Sequence, residues 1–309
     1  MSERVVRATS RYRTVDVAVE GGDLRVGVWE PDAAGQTVAS VLLIHGVTAS
    51  HLSWQQVADR LPGLRVIAPD LRGRGRSNGL TGRAGLAAHA RDLAAVLDAL
   101  EVDRTVVVGH SMGAFVGLVF ADLHPDRVSR LVLVDGGLPL DVPTGLAPEE
   151  IIQLVLGPTA ERLAMRFASV GEYLDFWRAH PAFRRDWSPA LEAYLAYDLV
   201  GEAPTLRPAT SYATLEEDSI DQNAGTAIVD SLGRLRHPTL FLTAERGLLD
   251  QVPPLYDPAR VPSLLATHPG LRHEHLDDVN HYTIVLSERG ADAVADAIRD
   301  ELALVDAGR

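Results

Sequence analysis

Short apolar runs alternate with longer stretches of helical periodicity along most of the chain. The runs are rich in Val, Ile and Leu: Val15–Glu20, Leu24–Glu30, Ser40–His45, Arg65–Pro69, Thr105–Gly109, Leu131–Asp135, Thr239–Ala244 and Leu271–Leu276. Helical spacing marks Ser50–Leu61, Ala84–Leu100, Met112–His124 and Gly290–Val305. In the last of these, Ala293, Val294, Ala297, Ile298, Leu302 and Val305 fall near one face. Continuous apolar runs suit strands buried on both sides, so the pattern predicts an α/β protein: a mostly parallel eight-stranded sheet with helices on both faces. The Gly21-Gly22-Asp23 turn between the first two runs predicts an antiparallel hairpin at one edge.

Residues 138–232 break the alternation. They are helix-like with Pro and Gly at their joints, and they hold Tyr173, Phe176, Trp177, Phe183, Trp187, Tyr194, Tyr197 and Tyr212. We therefore divide the chain into a core of residues 1–137 and 233–309 and an inserted helical cap of residues 138–232. A chain of 309 residues can bury a core of that size.

Composition narrows the chemistry. Hydrophobic residues make up 46% and charged residues 23%, the balance of a folded soluble chain rather than a disordered one. A net charge of −13 argues against a nucleic-acid partner and leaves a homodimer open. Cysteine is absent, which excludes thiol nucleophiles, disulfide scaffolds and cysteine-held metal. Lysine is absent too, all 29 basic residues being Arg, which excludes Schiff-base and phosphate-loop lysines. No run approaches 18 apolar residues, and the Arg-rich Met1–Thr14 has no apolar signal core. A cytoplasmic protein without a membrane segment is the expectation.

The sharpest local signal is Gly109-His110-Ser111-Met112-Gly113, which follows one apolar run directly and opens a helical stretch. A serine at a tight strand-to-helix turn needs strained backbone angles, and flanking glycines let strand and helix approach. Ser111 would then present its hydroxyl at a helix N-terminus, beside backbone N–H groups able to meet an oxyanion.

With this elbow the chain resembles the α/β-hydrolase superfamily over essentially its whole length. Further landmarks fall in family order: His45-Gly46 ends the third strand, Asp70-Leu71-Arg72-Gly73-Arg74-Gly75-Arg76-Ser77 matches the D-x-R-G-x-G-x-S loop, and Asn280-His281 follows the eighth strand. The resemblance implies Ser111 as nucleophile, His281 as base, and the Val47 and Met112 amides as oxyanion hole. Chemically, a serine is a weak nucleophile until a base takes its proton, and histidine suits that task near neutral pH. His45 and His110, beside glycines, suit supporting hydrogen bonds. His51, His89, His124, His180, His237 and His268 read as surface or helix-end residues.

The acid departs from the family pattern. Its usual place after the seventh strand reads Ala244-Glu245-Arg246-Gly247-Leu248-Leu249-Asp250, where Gly247 stands in the acid position. Some related hydrolases and dehalogenases carry the acid after the sixth strand, where Asp135 stands. Asp135 is the first candidate and Asp250 the alternative, with Glu245 or no acid as remaining options.

Other motifs carry less. Arg72, Arg74 and Arg76 read as solvent-facing arginines on a structural loop, with anion binding as the alternative. Gly73, Gly75 and Gly79 miss the dinucleotide spacing, so no cofactor is implied. His273 and His275 share a strand face without a carboxylate-rich ligand set, so no metal is expected. Trp177, Phe176, Trp187 and Tyr282 are expected to contact substrate. Together these features point to a serine hydrolase of carboxylic esters or lactones acting on a moderately large apolar small molecule. Carbon–carbon bond hydrolases, thioesterases and perhydrolases share the same residues. A non-catalytic ligand-binding protein is the alternative class, favoured only by Gly247.

Overall fold

In the computed structural model all eight apolar runs are strands of one sheet. It describes residues 11–32, 39–141 and 158–308, together with 145, 147, 149, 150, 152 and 154, so most of the Arg-rich start read for a signal lies outside the described residues. The strands are β1 (Tyr12–Val19), β2 (Gly22–Trp29), β3 (Ser40–Ile44), β4 (Arg65–Pro69), β5 (Thr105–His110), β6 (Val128–Val134), β7 (Thr239–Arg246) and β8 (Leu271–Asn280). Their spatial order is β1-β2-β4-β3-β5-β6-β7-β8. β1 and β2 form the edge hairpin, β2 pairs antiparallel with β4, and every other pairing is parallel.

Helices α1 (Gln55–Asp59), α2 (Leu86–Ala99), α3 (Met112–Leu123), α4 (Val170–Arg178), α5 (Pro189–Tyr197), α6 (Tyr212–Ala224), α7 (Ala227–Arg234) and α8 (Glu288–Asp306) cover the sheet and build the insertion. Alternate strand residues feed two cores. Leu42, Ile44, Val107, Leu131 and Leu133 pack with α2 and α3, while Val41, Leu43, Val106, Val108 and Val132 pack with α1 and α8. The cap lies between β6 and β7, and its Tyr173, Trp177 and Phe183 join the second core. The boundary expected after residue 232 falls inside α7, whose Ile228 and Leu232 belong to the first core. That helix packs against α3. Among the described residues no helix is long and apolar enough to cross a membrane.

Polar contacts fasten the cap. The amides of Ala84, Gly85 and Leu86, at the start of α2, donate to Glu217, Asp218 and Asp221 of α6, each at 2.7 Å. A helix N-terminus leaves such amides without partners and favours negative charge, and here the carboxylates arrive from another element. Tyr197 of α5 donates to Asp70 Oδ2 at 2.7 Å, and the Ser211 amide donates to the Gly73 carbonyl at 2.9 Å.

The loop from Asp70 to Ser77 corrects two expectations. Asp70 also accepts from the His51 amide and Nδ1 and from the Arg76 amide, at 2.7–2.8 Å. Burial would raise its pKa, but His51 and these donors hold the carboxyl far below the usual carboxylate range. Arg72 grips Asp92 through two bonds near 3 Å, and Arg74 pairs with Asp218 at 2.6 Å; both arginines are buried, and only Arg76 faces solvent. His51 and His89 are likewise buried, each on an aspartate, rather than at the surface.

Close packing makes α3 depend on one glycine. A Cβ on Gly113 would come within 2.1 Å of the Ile44 carbonyl oxygen, whereas one on Gly117 would meet only side chains at 3.4 Å or more. Gly113→Ala should therefore destabilise the fold by about 3 kcal/mol or more, since backbone cannot yield as a side chain can. Gly117→Ala should be neutral or stabilising by up to about 1 kcal/mol, from helix propensity. Urea unfolding of both variants checks the contrast, and equal losses would contradict it.

Candidate active site

Ser111 is the first residue past β5 and has φ +53° and ψ −124°, with its amide donating to the Val134 carbonyl at 2.9 Å. That left-handed geometry is costly for a residue with a side chain, and the neighbouring strand holds it in place. Met112 opens α3, so its N–H is one of the helix-start amides without an intrahelical acceptor. His281 is the first residue past β8, and its amide is fixed by the Arg246 carbonyl at 3.0 Å. Its Nε2 lies 3.0 Å from Ser111 Oγ and its Nδ1 lies 2.7 Å from Asp135 Oδ2.

Asp135 is the first residue past β6, with φ +44° and no solvent exposure. Its amide donates to the Leu242 carbonyl at 2.8 Å, and its Oδ1 accepts from the Ala244 amide at 3.2 Å. The carboxylate is thus pinned between β7 and the imidazole. An ionised carboxylate only accepts, so His281 Nδ1 carries the proton and Nε2 is left to accept from the serine hydroxyl.

Asp250 does not reach His281. Its Oδ1 accepts from Arg246 Nε at 2.7 Å and from Asn280 Nδ2 at 3.0 Å. Burial acts to raise its pKa, but the Asn280 and Arg246 donors outweigh that and hold it below the ordinary value. Asn280 Oδ1 accepts from the Tyr282 and Thr283 amides, and its Nδ2 also donates to the Ala182 carbonyl of the cap at 2.8 Å. Asp250 therefore braces the residue before His281.

Two buried histidines shape the surroundings. His45 Nδ1–H donates to the Gly46 carbonyl at 2.7 Å while its Nε2 accepts from the Leu71 amide at 2.9 Å. The Gly46 carbonyl and the Val47 N–H belong to one planar trans peptide, so holding one end aims the other in the opposite direction. Burial pushes His45 down to about 4 despite the Asp70 charge. His110 Nε2–H donates to the His281 carbonyl at 2.7 Å, and its own burial and the His281 ring keep it neutral, well below the usual histidine range.

Two recesses meet at Ser111, His281, Val47 and Leu248, enclosing about 610 and 490 Å³ of space continuous with solvent. The first is aromatic, walled by Tyr173, Trp177, Phe183, Tyr194 and Tyr282; the second mixes Phe115 and Leu255 with the polar Ser219, Gln222 and Asn223 of α6. Of the expected substrate contacts, Trp177 and Tyr282 line the cleft, whereas Phe176 and Trp187 do not. Phe176 packs on Phe167 and Trp177, and Trp187 donates to Glu192 at 2.7 Å beneath the Arg178 guanidinium. Tyr173 lies four residues before Trp177, one turn along the same face of α4. His273 and His275 share Thr243 Oγ1 at 3.0 Å, and no metal-competent group of three occurs among the described residues.

Comparison with known proteins adds family context. A family model described as the alpha/beta hydrolase fold matches residues 39–286. Over 118 residues the chain is 40% identical to Lipase LipV of Mycobacterium tuberculosis, covering 38% of this chain and 44% of LipV. Over 168 residues it is 36% identical to a 2-hydroxy-6-oxononadienedioate/2-hydroxy-6-oxononatrienedioate hydrolase of Paraburkholderia phymatum, covering 50% of this chain and 56% of that one. The chain thus spans about half the length of these curated relatives. In fold it is similar to the peroxisomal alpha-beta-hydrolase Lpx1 of Saccharomyces cerevisiae, with a TM-score of 0.73 at 18% identity over 97% of this chain and 91% of Lpx1.

A pH dependence of stability follows from His45. Its folded value of about 4 lies below the ordinary value of about 6.5, so between those values the unfolded chain binds more protons. The stabilisation is complete above about pH 6.5 and is lost as pH falls toward 4, on the order of 3 kcal/mol at about 1.4 kcal/mol per unit. His180, pushed down to about 4 by its burial and by Arg162, acts in the same direction. Urea titrations at pH 7, 6 and 5 should show falling unfolding free energy, and a flat profile would contradict a neutral His45.

Proposed function

Because the chain belongs to the α/β-hydrolase superfamily, we propose that it is a serine hydrolase that cleaves a carboxylic ester or lactone through an acyl-enzyme. The observation that carries this is the chain of contacts from Ser111 Oγ to His281 Nε2 (3.0 Å) and from His281 Nδ1 to Asp135 Oδ2 (2.7 Å), anchored by the strained Ser111 backbone.

In the proposed reaction Ser111 Oγ attacks the carbonyl carbon while its proton passes to His281 Nε2. Asp135 holds the imidazole in the tautomer that can accept and stabilises the imidazolium that forms. Negative charge developing on the carbonyl oxygen meets the Val47 and Met112 amides, each worth about 3 kcal/mol of transition-state stabilisation. As the tetrahedral intermediate collapses, the C–O bond breaks and His281 returns the proton to the leaving alcohol. Water, deprotonated by the same imidazole, then releases the acid and restores Ser111. The aromatic recess favours an apolar portion of the substrate, since large rings give up much surface to water-free contact.

A second reading, hydrolysis of a carbon–carbon bond in an oxo-acid on the same residues, is favoured by the stretch shared with the Paraburkholderia hydrolase. Turnover of a 2-hydroxy-6-oxodienoate in preference to a panel of esters would select it.

Intact-protein mass after incubation with a fluorophosphonate should show one adduct, absent in Ser111→Ala. A folded parent chain that stays unlabelled would overturn the serine-hydrolase reading. Asp135→Asn should lower kcat by about 10³–10⁴-fold, as expected when the imidazole loses its tautomer-fixing partner. Asp250→Asn should cost less than about tenfold, because it only loosens the brace on Asn280. The reverse ranking would move the acid to Asp250.

A further inference from the structure

We propose that Arg74 is a positioning residue for this reaction, fixing the Val47 amide from behind and tying it to the cap helix α6. The assignment rests on the serine-hydrolase reading above and adds to it how the cap reaches the oxyanion hole.

Arg74 is fully buried, and its guanidinium is spent on specific partners. Nε donates to the Val47 carbonyl at 2.8 Å, Nη1 donates to the Arg72 carbonyl at 2.9 Å and lies 2.6 Å from Asp218 Oδ2, and Nη2 lies 3.8 Å from Met112 Sδ. It therefore touches both residues proposed to supply the oxyanion-hole amides. Val47 sits between two peptide planes. The preceding plane is held at the Gly46 carbonyl by His45 and by the Ala49 amide at 3.2 Å; the following plane is held at the Val47 carbonyl by Arg74. With both planes pinned, Val47 has no free backbone rotation left, and the direction of its N–H is set before substrate arrives.

The other end of the link is Asp218, whose Oδ1 also accepts from the Gly85 amide at 2.7 Å and bonds His89 Nε2 at 3.0 Å. Burial acts to raise the pKa of this carboxyl, but its His89 and Arg74 partners outweigh that and hold it below the usual carboxylate range. The residue after it, Ser219, and Gln222 and Asn223 one turn on, line the second recess. The helix that meets the substrate thus holds the cation that holds the oxyanion loop. A planar fork is needed to serve two carbonyls and a carboxylate together, which a lysine ammonium on its flexible stem does not match.

Two variants separate positioning from simple charge balance. Arg74→Lys keeps a cation for Asp218 but loses the fork; Arg74→Met with Asp218→Asn removes both charges, so neither is left stranded in the interior. For each, circular dichroism and thermal unfolding establish the folded state. Then kcat and KM for an aryl ester are measured, with the inhibition constant of an aryl trifluoromethyl ketone, whose adduct on serine is an oxyanion. We expect kcat to fall roughly ten- to a hundred-fold, the effect of a slightly misplaced group, with KM within about threefold. Ketone affinity should fall by the same factor as kcat/KM. Parent-like kcat in folded Arg74→Lys would overturn the assignment and leave Arg74 as a counter-ion only. Lower kcat with unchanged ketone affinity would overturn it as well. If the double variant does not fold, Arg74→Lys decides. A parent chain that neither hydrolyses the ester nor takes the fluorophosphonate removes the serine-hydrolase reading, and this assignment with it.

Discussion

Parallel pairing of β5, β6, β7 and β8 is the constraint on which the rest of this protein depends. In a parallel sheet every strand ends at the same edge, so residues distant in sequence emerge side by side. His110 pairs with Val134 and Arg246 pairs with Asn280, and Ser111, Asp135 and His281 are each the next residue after a strand ends. No long side chain has to reach across the molecule. The backbone brings the three groups within hydrogen-bond distance, and positive φ at Ser111 and Asp135 turns each chain sharply enough to face its neighbour.

In its interior the chain buries carboxylates and pairs them with arginine. Arg72 with Asp92, Arg74 with Asp218, and Arg130 with Glu301 are all buried pairs. Burying a charge costs several kcal/mol unless geometry and further hydrogen bonds compensate. The guanidinium supplies both, because its remaining N–H groups find backbone carbonyls such as those of Thr81, Glu20 and Val47. A chain with no lysine is consistent with that use of its cations.

Much of this architecture is legible in the sequence, for identifiable reasons. Strands buried on both faces must be apolar throughout, so all eight runs stand out. Their ends do not: β8 continues past Leu276 through Asp277 and Asp278, with irregular pairing before Asn280 and a left-handed Asp278, and exposed polar residues carry no strand signal. Glycines that permit close approach mark the elbow, and Gly247 removes the usual acid position and directs attention to Asp135. What cannot be read is long-range partnership. His51, His89, Arg72 and Arg74 have the composition of a surface, and only the fold reveals that Asp70, Asp92 and Asp218 meet them in the interior. The cap aromatics are intermediate: helical period puts Tyr173 and Trp177 one turn apart on one face, but it does not set Phe176 aside, and Trp187 follows from no period at all.

The two recesses beside Ser111 have a consequence for handedness. One is walled by aromatic rings, the other carries the hydroxyl and amide groups of Ser219, Gln222 and Asn223. On the proposed reading, a carbonyl held with its oxygen toward Val47 and Met112 presents its two halves to unlike recesses, so its two prochiral faces are not equivalent to the serine hydroxyl. A stereocentre next to that carbonyl would place its substituents against unlike walls, and mirror-image substrates would make different contacts. On that reading the asymmetry of the cleft would make the protein a chiral selector.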